Sequence, residues 1–285
     1  MAEKTFKPKM VGIICNWCCY GGADLAGVSR FQYPPYLNIV RVMCSGRVDM
    51  KHLFKAFLSG ADGVFVGGCH LSDCHYITEG NYDALNMVQL SKKVLENIGI
   101  NPQRLRIEWV SAGEGIRYAN LMTEFLKQVE GFGPLGKGEG LDENEVHAKL
   151  EEVYKLIPYF KVSTKEKLVV RKIDNDEDHD TLFTLDEVAK LLNEVPAYYI
   201  DPAKCQACMT CAKRCPADAI ISAKGQVHII EQDKCIKCGT CFEVCPPKFA
   251  AATKLAAGVP VPPPVPEGER TVIRKKKEKL DESLA

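Results

Sequence analysis

The sequence predicts an α/β domain with a parallel sheet of βαβ units, then a helical linker and a small α+β domain. Three observations carry this. Short apolar runs alternate with longer amphipathic stretches through the first 130 residues, the pattern of strands joined by right-handed helical crossovers. A Gly-rich stretch, "GPLGKGEG" (133–140), interrupts that alternation. Beyond residue 200 the apolar runs shorten and cysteines crowd together. The expected boundaries are 8–132 for the α/β domain, 133–195 for the linker, 196–252 for the small domain and 253–285 for a Pro-rich, charged tail.

In chain order, "MVGIIC" (10–15) reads as the first strand and "GGADLAGVSRF" permits a helix. "NIVRVMC" (38–44) is the second strand, and "DMKHLFKAFLSG" (49–60) a helix with Asp49 as N-cap and Gly60 as its stop. "GVFVGGC" (63–69) is the third strand, followed by a long amphipathic helix over 81–99. "RLRIEWV" (104–110) and a helix over 115–132 complete the alternation. In the linker, 142–157 reads as helix and 164–173 as a strand or extended crossing. The acidic run "DNDEDHD" (174–180) reads as a solvated loop, and 184–195 as a helix whose Thr184 and Glu187 form a capping box. The tail, too rich in proline for a globular core, is expected to be extended.

Bulk composition excludes several classes. Lys plus Arg and Asp plus Glu balance at 37 each, and no basic stripe with interleaved aromatics points to nucleic acid. No apolar stretch approaches the ~20 residues of a membrane span, and "MAEKTFKPKM" lacks the apolar core of a signal peptide. A soluble cytoplasmic protein is therefore expected. In a reducing compartment, 14 clustered cysteines read as metal ligands or catalytic thiols before they read as disulfides.

Eight of them form a repeat thirty residues apart, "CQACMTCAKRCP" (205–216) and "CIKCGTCFEVCP" (235–246). Each is C-x2-C-x2-C-x3-C-P, the bacterial ferredoxin run whose fourth cysteine ligates the other cluster. One [4Fe–4S] cluster is assigned to Cys205, Cys208, Cys211 and Cys245, and a second to Cys235, Cys238, Cys241 and Cys215. The fourth cysteine is expected to start a helix. Paired zinc knuckles would need only four thiolates in each independent block, so the doubled run argues against them. The matched lead-ins "YYIDPAKC" and "VHIIEQDKC" make this a small, pseudo-twofold, bacterial ferredoxin-like α+β domain. Small residues (Ala207, Thr210, Gly239, Thr240) let backbone amides approach sulfur, while Lys213 and Lys237 read as solvated.

The other six are Cys15, Cys18, Cys19, Cys44, Cys69 and Cys74. Each falls at or just past the carboxyl end of a predicted strand, where open parallel sheets bind ligands. A thioredoxin-like pair at Cys15 and Cys18 would leave the remaining thiols unexplained. An FMN site would need a Ser/Thr- and Gly-rich loop after the first strand, where this chain has cysteine and Trp17. Three strand ends supplying thiols to one crevice read as a polynuclear ligand set. Cys19 is set aside, because adjacent cysteines seldom both reach one cluster. His70 and His75 read as hydrogen-bond donors nearby ahead of ligands of a Rieske-like centre. Trp17, Tyr20 and Tyr76 read as packing that shields the site, Arg47 as a loop-orienting residue, and Glu114 as a helix-start residue.

Taken together, "CNWC", "GGADLAG", "YPP", "RVMCSGRVD", "GADGVFVGGCHLSDCHY", "GNY" and "RIEWVSAGEG" resemble the delta-subunit family of methyl-viologen-reducing (F420-non-reducing) hydrogenase over about residues 8–130. The resemblance implies a [2Fe–2S] cluster and an electron bridge in an anaerobic oxidoreductase complex. It would join a hydrogenase, formate dehydrogenase or similar module to a heterodisulfide-reductase-type, FAD-containing bifurcating subunit. Cys15, Cys18, Cys44, Cys69 and Cys74 occupy the family's motif positions. Four suffice, and Cys15, Cys18, Cys44 and Cys74 are the expected set with Cys69 as competitor. The appended eight-cysteine module departs from the simplest form of the family. It is similar to the ferredoxin-like end of some NADH-oxidising, hydrogenase-associated flavoprotein subunits, so an NADH-oxidising donor also stands open.

The function expected is electron transfer through one [2Fe–2S] and two [4Fe–4S] clusters, without substrate turnover by this chain. The alternative is a dithiol/disulfide reductase fed by its own ferredoxin domain, with Cys15 and Cys18, or Cys69 and Cys74, as the reducible pair. A third reading is a redox-sensing binding protein with the basic tail as effector.

Overall fold

The computed structural model describes residues 6–77, 79–170 and 181–272. The acidic run 174–180, the end of the 164–173 stretch and the charged end of the tail lie outside the described residues. The chain divides into two compact units, Met1–Lys190 and Leu191–Ala285.

In the first unit, strands β1 (Met10–Cys15), β2 (Leu37–Val42), β3 (Gly63–Gly68) and β4 (Leu105–Trp109) form one parallel sheet in the order β2-β1-β3-β4. β3 is buried along its whole length, as its near-continuous apolar run requires for a strand covered on both faces. The chain leaves β1 toward β2 on one side and returns to place β3 on the other. Right-handed crossovers then put the β1–β2 connection on one face of the sheet and the β2–β3 and β3–β4 connections on the other. Helices α1 (Cys19–Val28) and α4 (Gly115–Phe132) pack together over Ile14, Phe65, Tyr118 and Phe125. Helix α2 (Met50–Leu58) packs with both α3 (Asn81–Asn97) and α5 (Glu143–Ser163), and the three bury Leu53, Phe54, Val88 and Ile157.

The local signals act as their chemistry dictates. Asp49 caps α2, accepting from the Lys51 amide at 2.9 Å while its own amide donates to His52 Nδ1 at 3.1 Å. Gly60, at φ +85°, ends the turn that follows α2. The Asp49 carboxylate also receives the Lys161 ammonium, which fastens α5 to α2.

Four expectations for the linker need correction. The Gly-rich stretch 133–140 is no free linker. Arg104, 0 % exposed, bonds Glu139 at 2.5 Å and the carbonyls of Asp62 and Gly133 at 3.0 and 2.9 Å. A buried guanidinium needs acceptors for all its donors, and the small residues of this loop bring carbonyls close enough to serve. The helix expected to stop at 157 runs through Pro158 to Ser163, because Tyr159 and Phe160 are buried and repay the lost bond. Residues Lys165–Leu168, expected as extended, form a short helix, α6. The helix α7 (Leu185–Asn193) has Thr184 Oγ1 accepting from the Glu187 amide at 3.2 Å, but the Glu187 carboxylate is turned to Lys167 at 2.6 Å.

In the second unit, β5 (Ala197–Ile200) pairs antiparallel with β8 (Ala252–Leu255), and β6 (Ile220–Ile221) with β7 (Ile229–Ile230). Two short helices, α8 (Thr210–Arg214) and α9 (Thr240–Glu243), carry the third cysteine of each run. The fourth cysteine does not start a helix as expected. Cys215 follows α8 in extended conformation, φ −71° and ψ 115°, as Pro216 demands of the residue before it. The Pro-rich stretch also differs from a free tail. The Val272 amide donates to Gly225 O at 2.9 Å, the Val227 amide donates to Arg270 O at 2.7 Å, and Val265 and Val272 pack on the small core. Among the described residues no helix is long and apolar enough to cross a membrane.

Candidate metal centres

The sheet order reverses between β1 and β3, so the crevice beyond their carboxyl ends is the topological switch point of the first unit. Cys15 is the last residue of β1, and Cys69 is the first beyond β3. Their sulfurs stand 3.8 Å apart. β2 ends at Val42, two residues earlier than predicted, which leaves Cys44 in the loop before a 3₁₀ turn (Ser45–Arg47). There Cys44 Sγ accepts from the Gly46 amide at 3.4 Å. Cys15, Cys44, Cys69 and Cys74 form one buried cluster, with Cys18 packed against it.

Glycine makes the convergence possible. Gly80 has φ +69° and ψ −107°. A Cβ there would lie 2.6 Å from Cys74 Sγ and 3.2 Å from Cys44 Sγ. Asn81, wholly buried, donates from Nδ2 to the carbonyls of Cys69 and His70 at 3.1 and 2.7 Å and fixes the third loop. Ser45 Oγ and Asn81 Oδ1 are buried with no protein partner. Periodicity marks none of these residues. The only sequence signal is that "SGR" and "GNY" sit beside the cysteine loops.

The thiols are electrostatically unequal. The Cys69 hydrogen bond holds the Cys15 thiol down at about 6 against its burial, and the same bond together with burial pushes Cys69 up. Burial raises Cys44 to about 11 and raises Cys18. Cys19 lies elsewhere, as the first residue of α1 in the apolar core with Ile14 and Phe65. A Cβ on Gly67 would collide with its sulfur, and burial pushes its thiol pKa up. Cys69 thus lies in hydrogen-bond reach of both Cys15 and Cys18, and Cys44 of Cys74, and none of these is a pair expected to be reducible, Cys15–Cys18 or Cys69–Cys74.

The flanking residues differ in part from expectation. His70 Nε2 bonds Glu114 at 2.7 Å, and the same carboxylate oxygen accepts from the Ser111 amide at 2.7 Å. Glu114 therefore ties the third loop to the start of α4. His75 stacks on Trp17 with centroids 4.7 Å apart and meets Tyr76 edge-on. Trp17 and Tyr76 are each 45 % exposed, so they border the site at the surface and do not seal it. Tyr20 lies beneath the Arg41 guanidinium.

In the second unit Cys205, Cys208, Cys211 and Cys245 line one cavity with Ile200 and Phe249. Cys215 and Cys238 both lie within electrostatic reach of Cys235, and Cys241 within that of Cys235 and Cys238. The two runs turn alike. Ala207 and Met209 in the first, and Lys237 and Gly239 in the second, have φ of 51°, 65°, 57° and 81°. Burial pushes Cys211 to about 11 and Cys241 to about 12. His228 Nδ1 stands 3.2 Å from Cys211 Sγ. Among the described residues no group of three or more His, Cys, Asp or Glu side chains forms a cage for a single metal ion. Two sets of soft thiol donors and glycine-cleared space fit thiolate-held clusters.

Residues 10–133 match the family model of the methyl-viologen-reducing hydrogenase delta subunit, and residues 197–251 match a 4Fe-4S dicluster domain. The iron-sulfur subunit of the F420-non-reducing hydrogenase of Archaeoglobus profundus is 51 % identical over 132 residues, 46 % of this chain and 96 % of that protein. Its counterpart in Methanococcus voltae is 49 % identical over 134 residues, 47 % of this chain and 92 % of its own length. A larger protein of Methanosarcina mazei, part of the ferredoxin:CoB-CoM heterodisulfide reductase, is 44 % identical over 154 residues, 54 % of this chain but only 19 % of that protein. With nearly the whole of these hydrogenase iron-sulfur subunits reproduced in its first half, the chain belongs to the methyl-viologen-reducing hydrogenase delta-subunit family and carries a 4Fe-4S dicluster domain behind it.

Proposed function

We propose that this chain is an electron-relay subunit of an anaerobic, cytoplasmic oxidoreductase complex. It holds one [2Fe–2S] and two [4Fe–4S] clusters and turns over no substrate itself. The observation that carries the proposal is the gathering of five thiols at the switch point of the sheet, in a chain that also bears eight thiols in two ferredoxin runs. Cys15, Cys18, Cys44 and Cys74 are the proposed ligands of the [2Fe–2S] cluster. Cys69 competes for a place, since its sulfur lies against Cys15. Cys205, Cys208, Cys211 and Cys245 would hold one [4Fe–4S] cluster, and Cys235, Cys238, Cys241 and Cys215 the other.

When bound, such clusters supply one-electron redox chemistry over a wide span of potentials. The protein contributes thiolates, a dry surround and backbone amides aimed at sulfur, such as Gly46 N on Cys44 and Ala219 N on Cys215. The proposed partners are a heterodisulfide-reductase-type flavin-bifurcating subunit on one side and a hydrogenase, formate dehydrogenase or NADH-oxidising module on the other; the relatives' names support the coarser pairing of a hydrogenase with a heterodisulfide reductase.

Iron and acid-labile sulfide analysis of the anaerobically purified chain tests this. About ten iron are expected, two from the first site and four from each of the others. A value near eight, with zinc at the first site, would remove the [2Fe–2S] cluster. A series of single Cys→Ser variants then separates the four ligands from the spare thiol. The disulfide-reductase alternative retains one favourable observation, the 3.8 Å Cys15–Cys69 contact. It predicts that these two thiols alkylate readily in the anaerobic protein, whereas cluster-held thiolates resist.

A further inference from the structure

The two halves of the dicluster domain repeat at an interval of thirty residues, and they differ at a buried position that lies beside the cysteine runs. Seven residues before the first cysteine of each run, the sequence has Tyr198 in one half and His228 in the other. Both are buried. Tyr198 lies against the second run, its hydroxyl 2.8 Å from where a Cβ on Gly239 would sit. His228 lies against the first. Its Nδ1 is 3.2 Å from Cys211 Sγ, and its backbone amide donates to Cys205 Sγ at 3.5 Å. The side chain is 1 % exposed, and Nε2 has no protein partner.

We propose that His228 tunes one of the two [4Fe–4S] clusters, donating an Nδ1–H···Sγ hydrogen bond to Cys211 that makes that cluster the easier of the pair to reduce. The proposal rests on the relay reading and its cluster assignment. The chemistry follows from the acceptor. A cluster-ligating cysteine is a thiolate, which accepts hydrogen bonds and has no proton to donate. A neutral imidazole facing it through Nδ1 must therefore carry its proton there, leaving the buried Nε2 as an unpaired acceptor. Reduction adds negative charge to the cluster and its sulfurs, so a donor to sulfur stabilises the reduced form more than the oxidised form. His228 is a positioning residue for charge and makes no bond to iron. Tyr198 lies instead against Gly239 of the second run, and identical cysteine patterns thereby receive unlike surroundings. In a relay this asymmetry gives electrons a downhill direction between neighbouring clusters.

The test uses the full chain purified anaerobically with its clusters. In wild-type protein labelled with ¹⁵N-histidine, pulsed EPR of the reduced clusters is expected to detect nitrogen coupling from one histidine on one cluster only. In redox titrations followed by EPR, His228→Phe, which keeps the ring and loses the donor, is expected to lower one midpoint potential. The expected change is about tenfold in that cluster's reduced-to-oxidised ratio at fixed ambient potential, ~59 mV for a one-electron couple. His228→Asn, whose amide can donate from a similar position, is expected to stay near wild type. Absence of nitrogen coupling in wild type overturns the proposal whether or not the variants assemble. Unchanged midpoints in a fully loaded His228→Phe protein overturn it as well. Either result leaves the relay reading standing, whereas a wild-type chain without [4Fe–4S] signals removes that reading and the proposal with it.

Discussion

Gly80→Ala is the sharpest test of the first site, because one methyl group meets two obstacles at once. At φ +69° and ψ −107° the backbone is in a region that L side chains rarely enter, and forcing one there costs about 1–3 kcal/mol. The added Cβ would lie 2.6 Å from Cys74 Sγ and 3.2 Å from Cys44 Sγ. The nearer contact is about 1 Å short of van der Waals distance. Overpacking of this kind adds about 1–3 kcal/mol, so a loss of about 2–6 kcal/mol is expected for the first unit. Displacing the two thiols should also cost the site its metal, because ligand constellations tolerate only about 0.5 Å of error. Both tryptophans of the chain, Trp17 and Trp109, lie in the first unit. Their fluorescence in a urea titration therefore reports on that unit alone, while iron analysis reports on loading. Gly27→Ala and Gly131→Ala supply the control, since both glycines are helical with open space where a Cβ would go. They should stabilise by about 0.5–1 kcal/mol. A Gly80→Ala chain with an unchanged urea midpoint and full iron would refute the inference that Gly80 clears the space between Cys44 and Cys74.

Other substitutions probe the supports of the site. Arg104→Met should destabilise the first unit by about 3–5 kcal/mol, because it strands the Glu139 carboxylate beside a buried space; a urea midpoint within error of wild type would contradict this. Cys19→Ala should lower stability on the order of 1 kcal/mol and leave iron content unchanged, whereas Cys15→Ala should remove iron from the first site. Iron loss in Cys19→Ala would place that thiol among the ligands. Asp49→Asn keeps a capping oxygen for the Lys51 amide but loses the ion pair with Lys161, and should cost about 0.5 kcal/mol. Burial opposes its ionisation, but the Lys161 ammonium and the Lys51 amide together hold the Asp49 carboxyl below its usual value. Its contribution is thus complete above the unfolded pKa of about 3.9 and is lost as pH falls through the lower folded value. The variant should accordingly lose part of wild type's acid sensitivity below about pH 4, and equal slopes for the two proteins would contradict the assignment.

Much of the molecule was legible because its signals are local. The alternation of "MVGIIC", "GVFVGG" and their helices is enough to specify a parallel sheet, and the doubled cysteine run specifies a turn that Ala207, Met209, Lys237 and Gly239 then adopt. What escaped was set by partners distant in sequence. "GPLGKGEG" looks like a flexible spacer until Arg104, some thirty residues earlier, is seen to draw its carbonyls inward. Pro158 would stop a helix in isolation, yet α5 continues because Tyr159 and Phe160 find a buried site. The Pro-rich stretch near residue 265 carries no periodic pattern, and packs because the backbones of Gly225 and Val227 offer it bonds. Within the thiol site, composition identifies the donors but cannot reveal Gly80 or Asn81, whose parts depend on loop geometry.

The choice between a nucleotide and a thiol-lined site turns on what the chain does immediately after β1. A phosphate site needs a loop with free amides leading into a helix N-terminus. Here the Asn16 amide is already committed to Val42 O at 2.7 Å, and α1 begins at Cys19, four residues beyond the end of the strand. The amides of Trp17 and Cys18 are turned to the Cys15 sulfur, which takes them from a phosphate at that point. The same tight turn draws Cys15 and Cys18 back over the switch point, toward Cys69 at the end of β3. The fold supplies the crevice, as open parallel sheets do, and the brevity of the β1–α1 turn selects which chemistry can enter it. Lengthening that turn with glycines between Asn16 and Trp17 should therefore release Cys18 from the cluster of thiols and lower the iron content of the first site while sparing the second. Equal iron in the lengthened and native chains would mean that Cys18 has no part in holding metal.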